Sequence, residues 1–137
     1  MRITKLAMIG CLMAVMSACS SFQPKSDIEA VKDRAQDRMD AMLAKDMESA
    51  YAFMSPGYRN THALSLFVSS LGGGANRLVS AEAREARCDE DACTVFVYAQ
   101  YRYGSATATD KDAGAYERTN EEKWIKVDGK WWFVSLS

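Results

Sequence analysis

The chain has 137 residues, 48% of them hydrophobic, which is the length and composition of one ordinary globular domain. Its formal net charge is -1, and its 17 basic and 18 acidic residues are interspersed along the whole length. Because nucleic-acid binding requires a basic patch or stripe, this distribution excludes a nucleic acid from the expected partners.

The first residues have the pattern of a secretory signal peptide. Arg2 and Lys5 supply a positive start, and the apolar segment 6–18 contains no acidic residue. This segment is too short to span a bilayer as a mature helix. We therefore expect residues 1–18 to be removed from the mature protein.

Cys19 follows this apolar segment directly, after the small residues Ser17 and Ala18. The region resembles a bacterial lipoprotein signal, with Met16 at the position where leucine is usual. The resemblance implies a diacylglyceryl group on the Cys19 sulfur and a further acyl chain, such as palmitate, on its amino group. Two or more chains anchor a protein stably, because each buried methylene contributes about 0.8 kcal/mol.

Two alternatives to lipidation at Cys19 fit the sequence less well. Cleavage at Cys11 would leave an apolar segment shorter than the roughly 7 residues that a signal peptide needs. An ordinary signal peptide cut near Ala18 would leave Cys19 as an unmodified thiol, which is a liability in an oxidising compartment.

Residues 19–25 are expected to form a short tether to the domain, residues 26–137. Pro24 argues against a helix in the tether, and seven extended steps reach only about 25 Å. Ser20 follows the cysteine, and in lipoproteins of this type the absence of Asp there implies transfer to the outer membrane. We expect the domain to act close to that membrane, facing the periplasm.

Three helices are predicted in the first half of the domain. The segment "SDIE", from Ser26 to Glu29, has the pattern of a capping box at a helix start. A second helix is predicted from about Asp46 to Pro56, and a third after Thr61 as its N-cap. The apolar stripe of the first helix recurs at steps of three and four residues and consists of Ile28, Val31, Ala35, Met39 and Met42.

A long hairpin is predicted next. Segments 78–88 and 93–103 flank the loop "DEDA", which would place Cys88 opposite Cys93 within disulfide distance. A metal site would need two further ligands, yet His62 is the only histidine. Redox exchange favours a C-x-x-C pair at a helix start. We therefore expect a structural disulfide in this exported protein, no metal and no cofactor.

A second hairpin is predicted around Asp128 and Gly129, a dipeptide that strongly favours a two-residue turn. Both faces of this hairpin are apolar, so we expect helices on one face and another surface, such as a second copy, on the other. Alternation places Glu122, Trp124, Lys126, Trp131 and Phe133 on one face and Ile125, Val127, Trp132, Val134 and Leu136 on the other.

Helices followed by a curved antiparallel sheet make an α+β domain. The segments "AMLAKDMESAYAFMSPGYR" and "WIKVDGKWWFVS" resemble the nuclear-transport-factor-two-like superfamily, the cone-shaped fold shared with ketosteroid isomerases. The resemblance covers about residues 26–137. It implies a sheet wrapped around a long helix, a cavity at the open end and frequent dimers through the convex face.

An isomerase-like site would need a carboxylate and hydrogen-bond donors that converge in an apolar cavity. No motif identifies a catalytic residue in this sequence, so none is predicted. For the aromatic candidates a place in the core is the alternative, and for His62 it is an exposed helix start. The side chains that could line a ligand pocket are Tyr51, Tyr58, His62, Tyr98, Glu122 and Trp124.

Three functions remain open from the sequence, because this fold hosts many activities. The preferred hypothesis is a non-catalytic, lipid-anchored envelope module that binds a protein partner or a small apolar ligand. The second is a small isomerase- or cyclase-type enzyme that uses Glu122 or His62. The third is a structural envelope scaffold. A cavity with a buried carboxylate facing a tyrosine hydroxyl would favour the enzyme.

Overall fold

The computed structural model describes residues 25–72, 77–103 and 114–135. The predicted signal peptide and Cys19 therefore lie outside the described residues. Helices precede strands, as predicted, and the four strands form one curved antiparallel sheet in the order β1-β2-β3-β4. The elements are α1 (Asp27–Leu43), α2 (Met47–Ala52), α3 (Pro56–Thr61), α4 (Leu64–Ser70), β1 (Leu78–Asp89), β2 (Ala92–Arg102), β3 (Ala115–Val127) and β4 (Lys130–Val134).

Helix α1 begins at the predicted capping box. The Glu29 backbone N–H donates to the Ser26 hydroxyl over 3.3 Å, and the Ser26 backbone N–H donates to the Glu29 carboxylate over 3.2 Å. Ile28 lies in the first turn and is 46% exposed, so its assignment to the apolar stripe was wrong. The other four residues of the stripe are buried: Val31, Ala35, Met39 and Met42.

Within residues 25–72 the structure has four helices where three were predicted. Pro56 does not end a helix but begins α3, because proline has no N–H to lose at the first helical position. Ser55 caps this helix by accepting from the Tyr58 backbone N–H. Thr61 is the last residue of α3, and α4 begins after Ala63 without a side-chain cap, so the prediction of Thr61 as an N-cap was wrong.

The first hairpin pairs Cys88 with Cys93, and the two residues form the expected disulfide. Pairing continues one step further, to Asp89 and Ala92, so the loop has two residues instead of four. Glu90 in this turn adopts a φ of 49°, which the tight reversal requires. The disulfide therefore links two strands next to their turn.

The second hairpin has the predicted register, with Val127 opposite Lys130. Asp128 and Gly129 have φ values of 52° and 75°, the left-handed conformation that a type I′ turn requires at both positions. Ile125 and Val127 on the outer face are 37% and 40% exposed. No helix in the described part of the chain covers this part of the outer face.

The core lies between α1 and the inner face of the sheet. Its residues include Val95, Val97 and Trp124, each at most 1% exposed. The free edge of β4 is covered at Phe133, whose N–H donates to the Phe53 carbonyl over 2.9 Å. None of the helices within the described residues is long and apolar enough to cross a membrane.

Candidate functional site: a buried ion pair beside an interior cavity

Two charged side chains lie inside the core, one on α1 and one on β3. Arg38 Nη1 donates to Glu122 Oε1 over 2.6 Å, and both residues are 5% exposed. The second carboxylate oxygen of Glu122 accepts from the Trp124 indole N–H over 3.1 Å. Both oxygens of the carboxylate are therefore hydrogen-bonded.

Burial governs the electrostatics of this pair. It raises the pKa of Glu122 above its ordinary value, while the Arg38 charge and the Trp124 hydrogen bond oppose the shift. Burial also lowers the pKa of Arg38, again against the attraction of the opposite charge. Desolvation of both ions offsets much of their attraction, so the pair gives the core polarity at little net gain in stability.

The Arg38 guanidinium also lies on an aromatic ring. Its central carbon is 3.9 Å from the centroid of the Phe133 ring, within the range of a cation–π contact. The Nε of Arg38 is buried and has no hydrogen-bond partner in the described structure. A buried donor without an acceptor is costly and is rare in native proteins.

A cavity of about 270 Å³ adjoins this pair. Asn120 donates to the Tyr101 hydroxyl over 2.9 Å at its wall, so the wall also carries a short polar segment. Apart from these polar groups and Glu121, the lining is apolar and consists of Met39, Met42, Leu71, Leu78 and Phe133. The space could hold a small apolar molecule whose oxygen accepts a hydrogen bond from Arg38.

The chemistry open to this site is limited by its existing bonds. Glu122 is a buried carboxylate, but both of its oxygens already accept hydrogen bonds. Within residues 25–72, 77–103 and 114–135 no group of three or more His, Cys, Asp or Glu side chains could hold a metal ion.

The predicted pocket candidates divide into separate places. Glu122 borders the cavity, and the Trp124 indole N–H donates a hydrogen bond to the Glu122 carboxylate. Tyr51, Tyr58 and His62 form a helical cluster outside the lining, in which the Tyr58 and His62 rings stack at 4.2 Å. The Tyr51 hydroxyl donates to the backbone carbonyl of His62. These three side chains support the helical segment.

Tyr98 does not belong to the cavity. It lies on the outer face of the sheet, 36% exposed, with the Arg84 guanidinium 4.5 Å from its ring centroid. Strand alternation explains this position, because Val97 and Ala99 on either side are buried inward. Tyr98 instead lines a separate groove, together with Glu82 and Arg84.

Four polar residues of the cavity lining were not among the sequence candidates: Arg38, Tyr101, Asn120 and Glu121. A signal for Arg38 is present, because it lies three residues after Ala35 and four before Met42, inside the buried stripe. Tyr101 and Asn120 meet only through the pairing of β2 with β3, which no local pattern reveals.

No protein-family model matches the sequence, and no curated protein matches it. Among solved structures the fold is similar to that of a SEC-C motif-containing protein from Rhodopseudomonas palustris, at 15% identity and a TM-score of 0.56, over 74% of this chain and 73% of that chain. A protein described as an NTF2-like transpeptidase from Campylobacter jejuni matches at 14% identity and a TM-score of 0.48, over 75% of this chain and 95% of that chain. At these identities the likeness concerns the fold alone.

Proposed function

We propose that this protein is a lipid-anchored, non-catalytic binding module of the bacterial cell envelope, with a nuclear-transport-factor-two-like domain facing the periplasm. The observation that carries the proposal is a cavity lined mostly by apolar side chains, with the Arg38 guanidinium at its wall. A small apolar ligand would fill this space and place an acceptor oxygen against that guanidinium. The proposed location at the outer membrane is based on the sequence around Cys19.

The cavity also limits the size of the ligand. Its volume is about 270 Å³. Binding pockets for drug-sized molecules start at about 300 Å³. The expected ligand is therefore a small apolar molecule with a carbonyl, carboxyl or ether oxygen at one end.

The enzyme hypothesis is the second candidate, because the cavity contains a buried carboxylate and a tyrosine. Glu122 accepts from Arg38 and Trp124, and the Tyr101 hydroxyl accepts from Asn120. An isomerase base must be free to take a proton from the substrate. Binding without chemistry is therefore the function that this arrangement supports better.

The binding proposal is tested by extracting small molecules from the protein purified from its native membranes, followed by mass spectrometry. We expect one compound in near-stoichiometric amount. Leu78→Phe should reduce its recovery about tenfold, because Leu78 lines the cavity and is only 7% exposed. Overpacking of this kind costs about 1–3 kcal/mol, so the melting curve of the variant is recorded as well.

Leu66→Phe is the matched control, because Leu66 is 55% exposed and lies outside the cavity lining. Its ligand recovery should equal that of the wild type. An empty wild-type protein would contradict the binding proposal. Equal recovery from the folded Leu78→Phe variant would place the ligand elsewhere and would also contradict it.

A protein partner, including a second copy of the chain, is proposed for the outer face of the sheet. Ile125 and Val127 remain 37% and 40% exposed there, next to the partly buried Val134. Crosslinking in intact membranes should return a homodimer or one defined partner. Ile125→Lys should abolish that product, whereas Val79→Lys, at an exposed position of β1, should not. A strictly monomeric protein without crosslinks would contradict this part of the proposal.

A further inference from the structure

Three cations surround one tryptophan at the β4 edge, away from the interior cavity. Trp132 has the Lys130 Nζ 4.6 Å, the Arg59 guanidinium carbon 5.1 Å and the Arg34 guanidinium carbon 6.0 Å from its ring centroid. We call these four residues the Trp132 cluster. They come from α1, α3 and β4, so the fold alone brings them together.

None of the three cations in the Trp132 cluster makes a salt bridge within the part of the chain that the structure describes. Asp37, on the next turn of α1, attracts Arg34 electrostatically without forming an ion pair. Arg34 and Arg59 are both partly buried. The cluster therefore places three positive charges around one ring, while the one acidic side chain that acts on Arg34 within the described ranges is Asp37.

Both arginines are held in the same manner. Arg34 Nε donates to the Trp131 carbonyl over 3.4 Å, and Arg59 Nε donates to the Met54 carbonyl over 3.1 Å. The Phe53 ring supports Arg34 further, at 4.3 Å from its guanidinium carbon. The terminal amino groups of both guanidinium groups have no acceptor among the described residues. Guanidinium groups with free terminal donors are suited to bind phosphate oxygens.

We propose that the Trp132 cluster is a binding site for a phosphate group, carried either by a lipid headgroup or by a soluble phosphate ester. Arg34 and Arg59 bind the phosphate oxygens, and Lys130 adds a third, more mobile positive charge. Trp132 supplies an apolar and partly exposed ring, of the kind enriched where proteins meet the membrane interface. This site is independent of the cavity beside Arg38.

The test uses the full chain in detergent, labelled with ¹⁵N and titrated with glycerol 3-phosphate at constant ionic strength. The chain has three tryptophans, and Trp132→Phe identifies the indole resonance of Trp132. That resonance should shift along a saturable curve. The resonance of Trp124, whose indole donates to Glu122, should not shift and serves as an internal control.

The double variant Arg34→Gln/Arg59→Gln should weaken binding about tenfold or more, because both guanidinium groups, with their paired N–H donors, are lost. Arg34→Lys/Arg59→Lys keeps the positive charges but removes the paired guanidinium donors, so it should bind at an intermediate level. This variant distinguishes a loss of phosphate recognition from a loss of folding. Arg84→Gln is the matched control, since Arg84 stacks on Tyr98 elsewhere on the sheet. Its binding should be unchanged.

A second arm distinguishes the two sources of phosphate. The same chain is placed in nanodiscs of phosphatidylcholine with or without phosphatidylglycerol. A response to phosphatidylglycerol alone identifies a lipid headgroup, and a response to glycerol 3-phosphate identifies a soluble ester. No response at Trp132 in either arm overturns the proposal. A response that persists at full strength in the folded Arg34→Gln/Arg59→Gln variant also overturns it.

Discussion

Arg38 of α1 and Glu122 of β3 form a buried ion pair, with 2.6 Å between Nη1 and Oε1, and the two residues are 84 positions apart in the sequence. The pair connects the longest helix to the centre of the sheet. Because Trp124 occupies the other carboxylate oxygen and Phe133 lies under the guanidinium, four side chains from three elements fix each other. The geometry of the cavity wall depends on this group.

Removing one partner of the pair should be more damaging than removing both. Glu122→Leu leaves Arg38 buried without its counter-charge, so we expect a loss of about 3–5 kcal/mol in the free energy of unfolding. The double variant Arg38→Met/Glu122→Leu should recover much of that loss, because no unpaired charge remains. Urea unfolding of the two variants measures the difference. If their stabilities are equal, the pair is not buried as described.

The exposed pair of Arg84 and Glu82 provides the comparison. Its side chains are 54% and 63% exposed, so water screens the attraction. Glu82→Leu should therefore leave the urea midpoint nearly unchanged. A loss as large as that of Glu122→Leu would show that charge removal destabilises this fold irrespective of burial.

The stability should depend on pH through Glu122. Burial raises its pKa above 4.5, so the folded chain holds the proton more tightly than the unfolded chain does. The contribution of Glu122 is therefore most favourable below its unfolded pKa and declines as pH rises through its folded pKa. The unfolding free energy of the wild type, minus that of Glu122→Gln, should therefore fall as the pH rises above about 4.5.

Asp46 supplies the opposite sign in the same measurement. Hydrogen bonds from Ser49 at the start of α2 lower the pKa of Asp46 below 3.8. Its contribution is present above its unfolded pKa and is lost as pH falls through its folded pKa. The difference between the wild type and Asp46→Asn should therefore fall on acidification. If the stability differences of the Glu122 and Asp46 variants changed in the same direction with pH, the assigned environments would be contradicted.

Local patterns predicted most of the fold, because the signals they rely on are short-range. The capping box at Ser26 and the turn at Asp128 and Gly129 depend on a few neighbouring residues. Pro56 was misinterpreted because proline is equally suited to ending one helix and beginning the next. Arg38 was missed because a charged side chain in an apolar stripe makes sense only with its partner, which lies on a distant strand.

Gln36 covers part of the edge of β1. Its side chain accepts from the Ala83 backbone N–H over 2.9 Å and donates to the Ala81 carbonyl over 3.2 Å. An uncovered strand edge invites pairing with another chain. Gln36→Ala should therefore accelerate hydrogen exchange at the Ala83 amide and increase aggregation. Asp40→Ala is the control: Asp40 accepts from Gln36 but has no contact with the strand. Unchanged exchange in Gln36→Ala would contradict this role.

The disulfide should contribute modestly to stability. It closes a loop between residues only 5 apart, and loop closure of this size stabilises by about 2 kcal/mol. Cys88→Ser/Cys93→Ser should lower the free energy of unfolding by about that amount while keeping the strand register. The register is checked by nuclear Overhauser effects between Arg87 and Thr94, which pair directly. A shifted register would show that the disulfide, and not side-chain burial, aligns the hairpin.

The proposed lipid anchor at Cys19 can be tested independently of the fold. Cys19→Ala should release the protein from the membrane fraction, whereas Cys11→Ala should leave it attached. Intact-mass analysis of the wild type should give a chain that starts at residue 19 and carries diacylglyceryl and acyl groups. An unacylated amino terminus would contradict the anchor.

The Lys126 Nζ lies 2.7 Å from Asp27 Oδ1, which places the start of α1 beside the end of β3. With a tether of about 25 Å at most, the anchor would keep the second hairpin near the lipid surface, where the Trp132 cluster could meet headgroup phosphates.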